Sequence, residues 1–219
     1  MEKTATPRVK ICCISSVEEA WTAIRYGASA LGFVSDMPSG PGVISEDLIA
    51  KIVAQVPPPI ATFLLTCSQD SQDIIRQLKY CRTNTVQICD RLISGSYQNI
   101  RENLPGMAIV QVIHVCSEES LQEAIEVAHY VDAILLDSGN QSLATKELGG
   151  TGRIHDWELS TQIREKVNLP IFLAGGLNAE NVALAVQRVS PFGLDLCNGV
   201  RSNSKLDEDK LKRFFQQLK

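Results

Sequence analysis

Residues 9–34, VKICCISSVEEAWTAIRYGASALGFV, decide the fold. The run at 9–14 is short and almost continuously apolar, and so is the run at 30–34. Neither alternates apolar with polar residues, which marks strands buried on both faces, as in parallel sheets. Residues 16–26 between them carry helical spacing. Ser16 stands as a cap, Glu19 three residues later completes a capping-box pattern, and Gly27 follows as a stop for the last turn. Strand, helix and strand in this order make one βαβ unit, because parallel neighbours need a crossover that carries the chain back.

The same texture continues along the chain. Further strand-like runs fall at 60–65, 85–88, 108–115, 133–136, 171–173 and 193–196. Helical spacing recurs at 45–55, 70–80, 94–103, 118–129, 156–167, 178–189 and 207–218. The segment 45–55 opens on Ser45, Glu46 and Asp47, carries Leu48, Ile49, Ile52 and Val53, and is followed by Pro57, Pro58 and Pro59. The segment 94–103 is the weakest, being short and holding Gly95. Eight strands alternating with eight helices leave about 27 of the 219 residues per unit, enough for a strand and its crossover helix. Strict alternation predicts an α/β fold with a parallel sheet inside and helices outside. Eight repeats with no linker predict a single (β/α)8 TIM barrel over residues 1–219.

Composition narrows the function. Net charge is −4, from 21 basic and 25 acidic residues, and no Lys/Arg stripe forms, which argues against nucleic acid and anionic membranes as partners. The seven cysteines include no CxxC pair, and with three histidines no zinc-ligand spacing arises, so no metal and no cofactor are expected. Residues 1–10 lack the apolar core of a signal peptide, and no apolar run approaches the ~18 residues of a membrane span. The expectation is a reduced, cytoplasmic protein, monomer or homodimer, with mostly buried free thiols.

Barrel enzymes place their chemistry on the loops after the strands. That rule nominates Cys12 and Cys13 after the first strand, residues 36–42 after the second, Cys89 and Asp90 after the fourth, and Asp137 at the end of the sixth. Gly175 and Gly176 follow the seventh, and residues 198–201 the eighth. The turns Ala174-Gly175-Gly176-Leu177-Asn178 and Cys197-Asn198-Gly199-Val200 fit a phosphate cradle of backbone N–H groups, and equally the plain demand of tight turns for glycine. Glu147-Leu148-Gly149-Gly150-Thr151-Gly152-Arg153 reads either as a lid or as a solvated loop. Asp137 could act as a general acid or simply accept loop N–H groups, and Cys12 could act as a base or be a buried hydrophobe. Of the histidines, His155 beside the glycine loop is the one placed to matter.

These residues resemble the phosphoribosylanthranilate isomerase family of tryptophan biosynthesis. Val9-Lys10-Ile11-Cys12, with Ile14-Ser15, resembles VKICGIT; Leu31-Gly32-Phe33-Val34 resembles LGFVF. Val86-Gln87-Ile88 is similar to VQL, Leu135-Leu136-Asp137 to LLD, and Gly149-Gly150-Thr151-Gly152 with Asp156-Trp157 to GGTGxxFDW. Residues 173–178 with Asn181-Val182 resemble LAGGLxPxNV, and residues 193–200 resemble GVDVSSGVE. The resemblance implies a cofactor-independent Amadori rearrangement of an N-(5-phosphoribosyl)amine to a 1-amino-1-deoxyribulose 5-phosphate. It implies Cys12 as general base and Asp137 as general acid, with the phosphate near Gly150, Gly175, Gly176, Asn198 and Gly199. Arg153, Asp195 and Arg201 are expected as further substrate contacts.

Departures from that pattern gather at the mouth. The family's SPR, whose arginine binds the anthranilate carboxylate, is replaced by a segment, residues 37–43, that holds no arginine. Cys13 stands for a glycine, Cys89-Asp90 for HG, Asn198 for a serine, Arg201 for a glutamate and His155 for a phenylalanine. Three readings follow: the family's own enzyme with Arg153 or Arg201 supplying the carboxylate contact, a paralogue isomerising another phosphosugar, or a non-catalytic phosphosugar-binding barrel. Retention of both Cys12 and Asp137 argues against the third, since a pure binder needs neither.

Overall fold

The computed structural model describes residues 6–218. Eight parallel strands close in sequence order: β1 Arg8–Ile11, β2 Ala30–Val34, β3 Ala61–Thr66, β4 Thr85–Ile88, β5 Ala108–His114, β6 Ala133–Asp137, β7 Ile171–Leu173 and β8 Gly193–Leu196. Closure is made where β1 pairs with β8, Arg8 opposite Gly193 through Ile11 opposite Leu196. The helices α1 Val17–Tyr26, α2 Glu46–Val53, α3 Ser71–Cys81, α4 Tyr97–Asn103, α5 Glu119–Val127, α6 Trp157–Lys166, α7 Val182–Val189 and α8 Glu208–Gln216 follow the strands one for one. The fold is the TIM barrel that the alternation predicts.

The continuous apolar runs are explained by two cores. Along β5, Ile109 and Ile113 face outward into the layer between barrel and helices, while Val110 and Val112 pack inside the barrel. The same split places Leu64 outside and Phe63 and Leu65 inside along β3. Each strand therefore meets apolar surroundings on both faces, which removes the alternation that a half-exposed sheet would show.

Boundaries differ from the expected ones where polar side chains intervene. β1 ends at Ile11 rather than at residue 14, because Cys13 turns into the left-handed region (φ 63°). The Ser16 hydroxyl accepts from the Glu19 N–H (3.2 Å), as a cap should, but the Glu19 carboxylate takes the Ser15 N–H (3.0 Å) and Arg201 instead of closing a capping box. α4 starts at Tyr97, with Ser96 as its cap, since Gly95 has positive φ. α7 starts at Val182 because Asn178 and Asn181 bind one another's backbone N–H groups across a turn (2.9 and 3.1 Å). After β8 the chain makes a short 3-10 turn, Asn198–Val200, and a small hairpin of β9 Arg201–Ser202 with β10 Lys205–Leu206, which the strand-and-helix pattern did not predict.

Candidate active site

One cavity opens at the carboxyl ends of the strands, and Cys12 and Asp137 both line it. Gly150, Gly175, Gly176, Asn198 and Gly199 line the same cavity, so the two glycine turns, the loop after β6 and the two chemical side chains converge.

Lys10, in the sequence one letter of the motif at residues 9–12, organises the floor. Its side chain is entirely buried, and Nζ donates to Asp195 Oδ2 at 2.8 Å. Burial alone would lower the ammonium's pKa, but the charges of Asp195 and Cys12 outweigh it and keep Lys10 protonated. A lysine inside an otherwise apolar strand was the available signal, because a buried charge has to be paired. Gly32 on β2 makes the room: a Cβ there would stand 2.9 Å from Cys12 Sγ and 3.0 Å from Lys10 Nζ.

The cysteines of the mouth divide by environment. Hydrogen bonding from the neighbouring Cys13 thiol, aided by the Lys10 charge, overcomes burial and lowers the Cys12 thiol below its ordinary range. That same bond to Cys12, a bond to Cys197 and burial push Cys13 up. Burial also pushes Cys89 up. Of Cys12, Cys13 and Cys89, Cys12 is therefore the one whose surroundings favour the thiolate, the form that can take a proton.

Asp137 is buried and divides its two oxygens. Oδ1 accepts the Ser138 N–H at 2.7 Å, the loop-acceptor role, while Oδ2 lies against Gly149, where a Cβ would stand 2.6 Å from it. The loop after β6 is fastened over the site: Asn198 Nδ2 donates to the Gly150 carbonyl (3.0 Å), the Ser138 and Thr151 hydroxyls meet at 2.7 Å, and Ser39 Oγ donates to the Lys146 carbonyl (2.7 Å). Two buried acceptors on the floor, Gln87 Oε1 and Asp195 Oδ1, have no hydrogen-bond partner among the described residues. Gln87 was seen in the sequence only as part of a strand.

The remaining candidates are placed differently. Arg201 does not reach the cavity; its guanidinium is buried beneath the loop, bound to both Glu19 oxygens (2.9 and 3.1 Å) and to the carbonyls of Cys12 (3.2 Å) and Cys13. It is a structural clamp, because both terminal nitrogens are taken up by Glu19 and the carbonyls of Cys12, Cys13 and Ser204. The Arg153 side chain turns to solvent and pairs with Glu147. Asp195 lines the cavity but is held by Lys10. His155 packs under the Gly175 turn, with Nε2 against Ser160 Oγ at 2.8 Å, and burial lowers its pKa. Among the described residues no group of His, Cys, Asp and Glu is arranged to hold a metal ion, and no helix is long and apolar enough to cross a membrane.

Comparison with known proteins agrees with this geometry. The model of the N-(5'-phosphoribosyl)anthranilate isomerase family matches residues 9–217. The isomerase of Nostoc punctiforme is 35% identical over 96% of this chain and 98% of its own. That of Methanosarcina acetivorans is 33% identical over 97% of this chain and 93% of its own. The crystal structure of the Thermotoga maritima isomerase superposes with a TM-score of 0.81 at 28% identity, covering 97% and 98% of the two chains. A structure of phosphoribosylanthranilate isomerase holding reduced 1-(o-carboxyphenylamino)-1-deoxyribulose 5-phosphate gives 0.78 at 27% identity over the same shares.

Proposed function

This chain belongs to the N-(5'-phosphoribosyl)anthranilate isomerase family, and on that premise we propose that it rearranges an N-(5-phosphoribosyl)arylamine to the 1-amino-1-deoxyribulose 5-phosphate, in tryptophan biosynthesis and in the cytoplasm, with residues 1–219 acting as one barrel. Asp137, through Oδ2, gives its proton to the ribose ring oxygen. The C1′–O bond breaks and the ring opens to an iminium. The iminium acidifies the adjacent C–H, and Cys12 then takes the C2′ proton to leave an enolamine. Tautomerisation of the enolamine yields the ketone, and the protons on Cys12 and Asp137 are reset by exchange. The substrate phosphate rests on the N–H groups of the Gly175-Gly176 and Asn198-Gly199 turns, below Gly150. Gln87 Oε1 and Asp195 Oδ1 are free to accept from sugar hydroxyls.

The observation that carries this reading is that Cys12 and Asp137 line one cavity, with Cys13 and Lys10 placed beside Cys12 where they favour its thiolate. The test is turnover of phosphoribosylanthranilate by the purified protein beside Cys12→Ala and Asp137→Asn. Each substitution is expected to lower kcat by about 10²–10⁴, the usual worth of a positioned acid or base. Turnover that survives both would remove the assigned roles.

A second reading rests on the aglycone end of the cavity. No lysine or arginine among the described residues lines it. Gly42, in the segment where the family's arginine is expected, lies against Cys13: a Cβ on Gly42 would stand 2.5 Å from the Cys13 Cβ. Val34, Met37, Pro41, Leu65 and Leu148 make that end apolar. A fork of charge-assisted bonds to a carboxylate has no substitute there. An arylamine without the ortho carboxylate fits this lining, and a comparison of kcat/KM for phosphoribosylanilines with and without the carboxylate decides between the two.

A further inference from the structure

Two departures from the family pattern meet in space. Cys13 stands where VKICGIT has glycine, and Cys197 stands at the first serine of GVDVSSGVE. The loops after β1 and β8 bring their sulfurs to 2.7 Å, with the Cys197 thiol donating to Cys13 Sγ. Cys13 holds this position at φ 63°, a backbone region that residues with a Cβ rarely adopt, and the Arg201 clamp on the Cys12 and Cys13 carbonyls keeps it there. Cys13 is buried, and Cys197 is half-buried at the cavity wall.

We propose that Cys13 and Cys197 form a reversible dithiol–disulfide site that switches the catalytic base off when oxidised. The oxidant is a low-molecular-weight disulfide of the glutathione class. The Cys197 thiolate, the more accessible of the two, attacks one sulfur of that disulfide, whose S–S bond breaks and releases a thiolate. The Cys13 thiolate then attacks Cys197 Sγ in the mixed disulfide, forming the Cys13–Cys197 bond and expelling the second small thiolate. Two protein thiols are oxidised, one external disulfide is reduced, and the two thiol protons pass to solvent and the released thiolates. The sulfurs need to close only from 2.7 Å to the bonded ~2.05 Å.

The consequence for catalysis rests on the reading of Cys12 as base. Cys197 donates to Cys13 Sγ, and the adjoining Cys13 thiol is the largest influence lowering Cys12. Oxidation consumes both S–H groups, so Cys12 loses the donor that favours its thiolate. The bond also ties the Cys12 loop to the Asn198-Gly199 turn. Turnover at neutral pH is lost, and part of it returns at alkaline pH, where Cys12 ionises without help.

The experiment treats the full chain with oxidised glutathione and follows three readouts: intact mass, the cross-linked peptide after digestion, and the pH profile of turnover before and after dithiothreitol. The expected result is loss of two hydrogens, a peptide joining Cys13 to Cys197, and inhibition that dithiothreitol reverses. Cys13→Ser and Cys197→Ser should each abolish the ratio of oxidised to reduced activity as a signal, whatever their own basal rates. A cross-link through Cys12, or no cross-link at all, overturns the site. Equal inhibition in wild type and both variants assigns the loss to Cys12 oxidation and overturns the switch. A Cys13–Cys197 cross-link in a chain that turns over no phosphoribosylamine would leave the dithiol standing and remove the isomerase reading instead. If a variant fails to fold, the peptide map of the wild type still decides.

Discussion

Lys10 Nζ and Asp195 Oδ2 stand 2.8 Å apart at the floor of the barrel, in a buried pair close to Cys12. Its members come from β1 and β8, the strands that close the barrel, and they are matched in register. Removing Lys10 alone would leave Asp195 buried without its cation, which typically costs about 3–5 kcal/mol. Lys10→Met should therefore lower Tm sharply, while Lys10→Met with Asp195→Leu should recover much of the loss, as replacing both partners of a buried pair often does. Equal destabilisation of the single and double variants in denaturant unfolding would sink the idea.

The same lysine governs the acid side of the pH profile. As the proposed base, Cys12 must be a thiolate to act, and its pKa in the fold is lowered by Cys13 and then by Lys10. Activity is therefore present above that lowered pKa and lost as pH falls through it. Both Lys10→Met and Cys13→Gly should move the acid limb of kcat to higher pH. Cys13→Gly should at the same time raise stability by about 1 kcal/mol, since glycine relieves the left-handed backbone at φ 63°. A stabilised Cys13→Gly variant with an unmoved limb would show that Cys13 does not tune the base.

Arg201 offers a test of structure against substrate binding. Burial would raise the Glu19 carboxyl, but hydrogen bonds from Arg201 and its charge bring it below its ordinary range. A lowered carboxyl contributes stability above its unfolded pKa, and that stability is lost as pH falls through the folded value. Arg201→Met removes the partner, raises the Glu19 pKa and moves acid unfolding to higher pH. The measurement is the acid midpoint by circular dichroism beside KM. A variant with normal acid stability and a raised KM for carboxylate-bearing substrate would return Arg201 to the substrate.

The eight units were legible because parallel strands and amphipathic helices write their burial on every residue of a run, as 30–34 and 85–88 show. Cys12, Asp137 and the glycine turns were legible because strand ends are the mouth of a barrel. Lys10 was not, since an apolar strand hides which face a polar residue takes and what waits opposite. The fate of Arg201 was hidden too: its partner Glu19 lies 182 positions away and looked committed to a capping box. The meeting of Cys13 with Cys197 depends on barrel closure between β1 and β8, a contact between the two ends of the chain.

Gly32 supplies a last test of how tightly the floor is built. A methyl group at this position would stand 2.9 Å from Cys12 Sγ and about as close to the Lys10 side chain, both of them buried, with Cys12 at the cavity wall. One of the two must move, and Lys10 is fixed by Asp195 at 2.8 Å, so the displacement falls on Cys12. A shift of about 1 Å in a reacting group can cost about 10²-fold in rate. Gly32→Ala should accordingly lower kcat by about that factor while KM, which the proposed phosphate turns after β7 and β8 would set, stays near its wild-type value. A steady-state measurement of both constants decides it: a raised KM at unchanged kcat would place Gly32 at the substrate rather than behind the base.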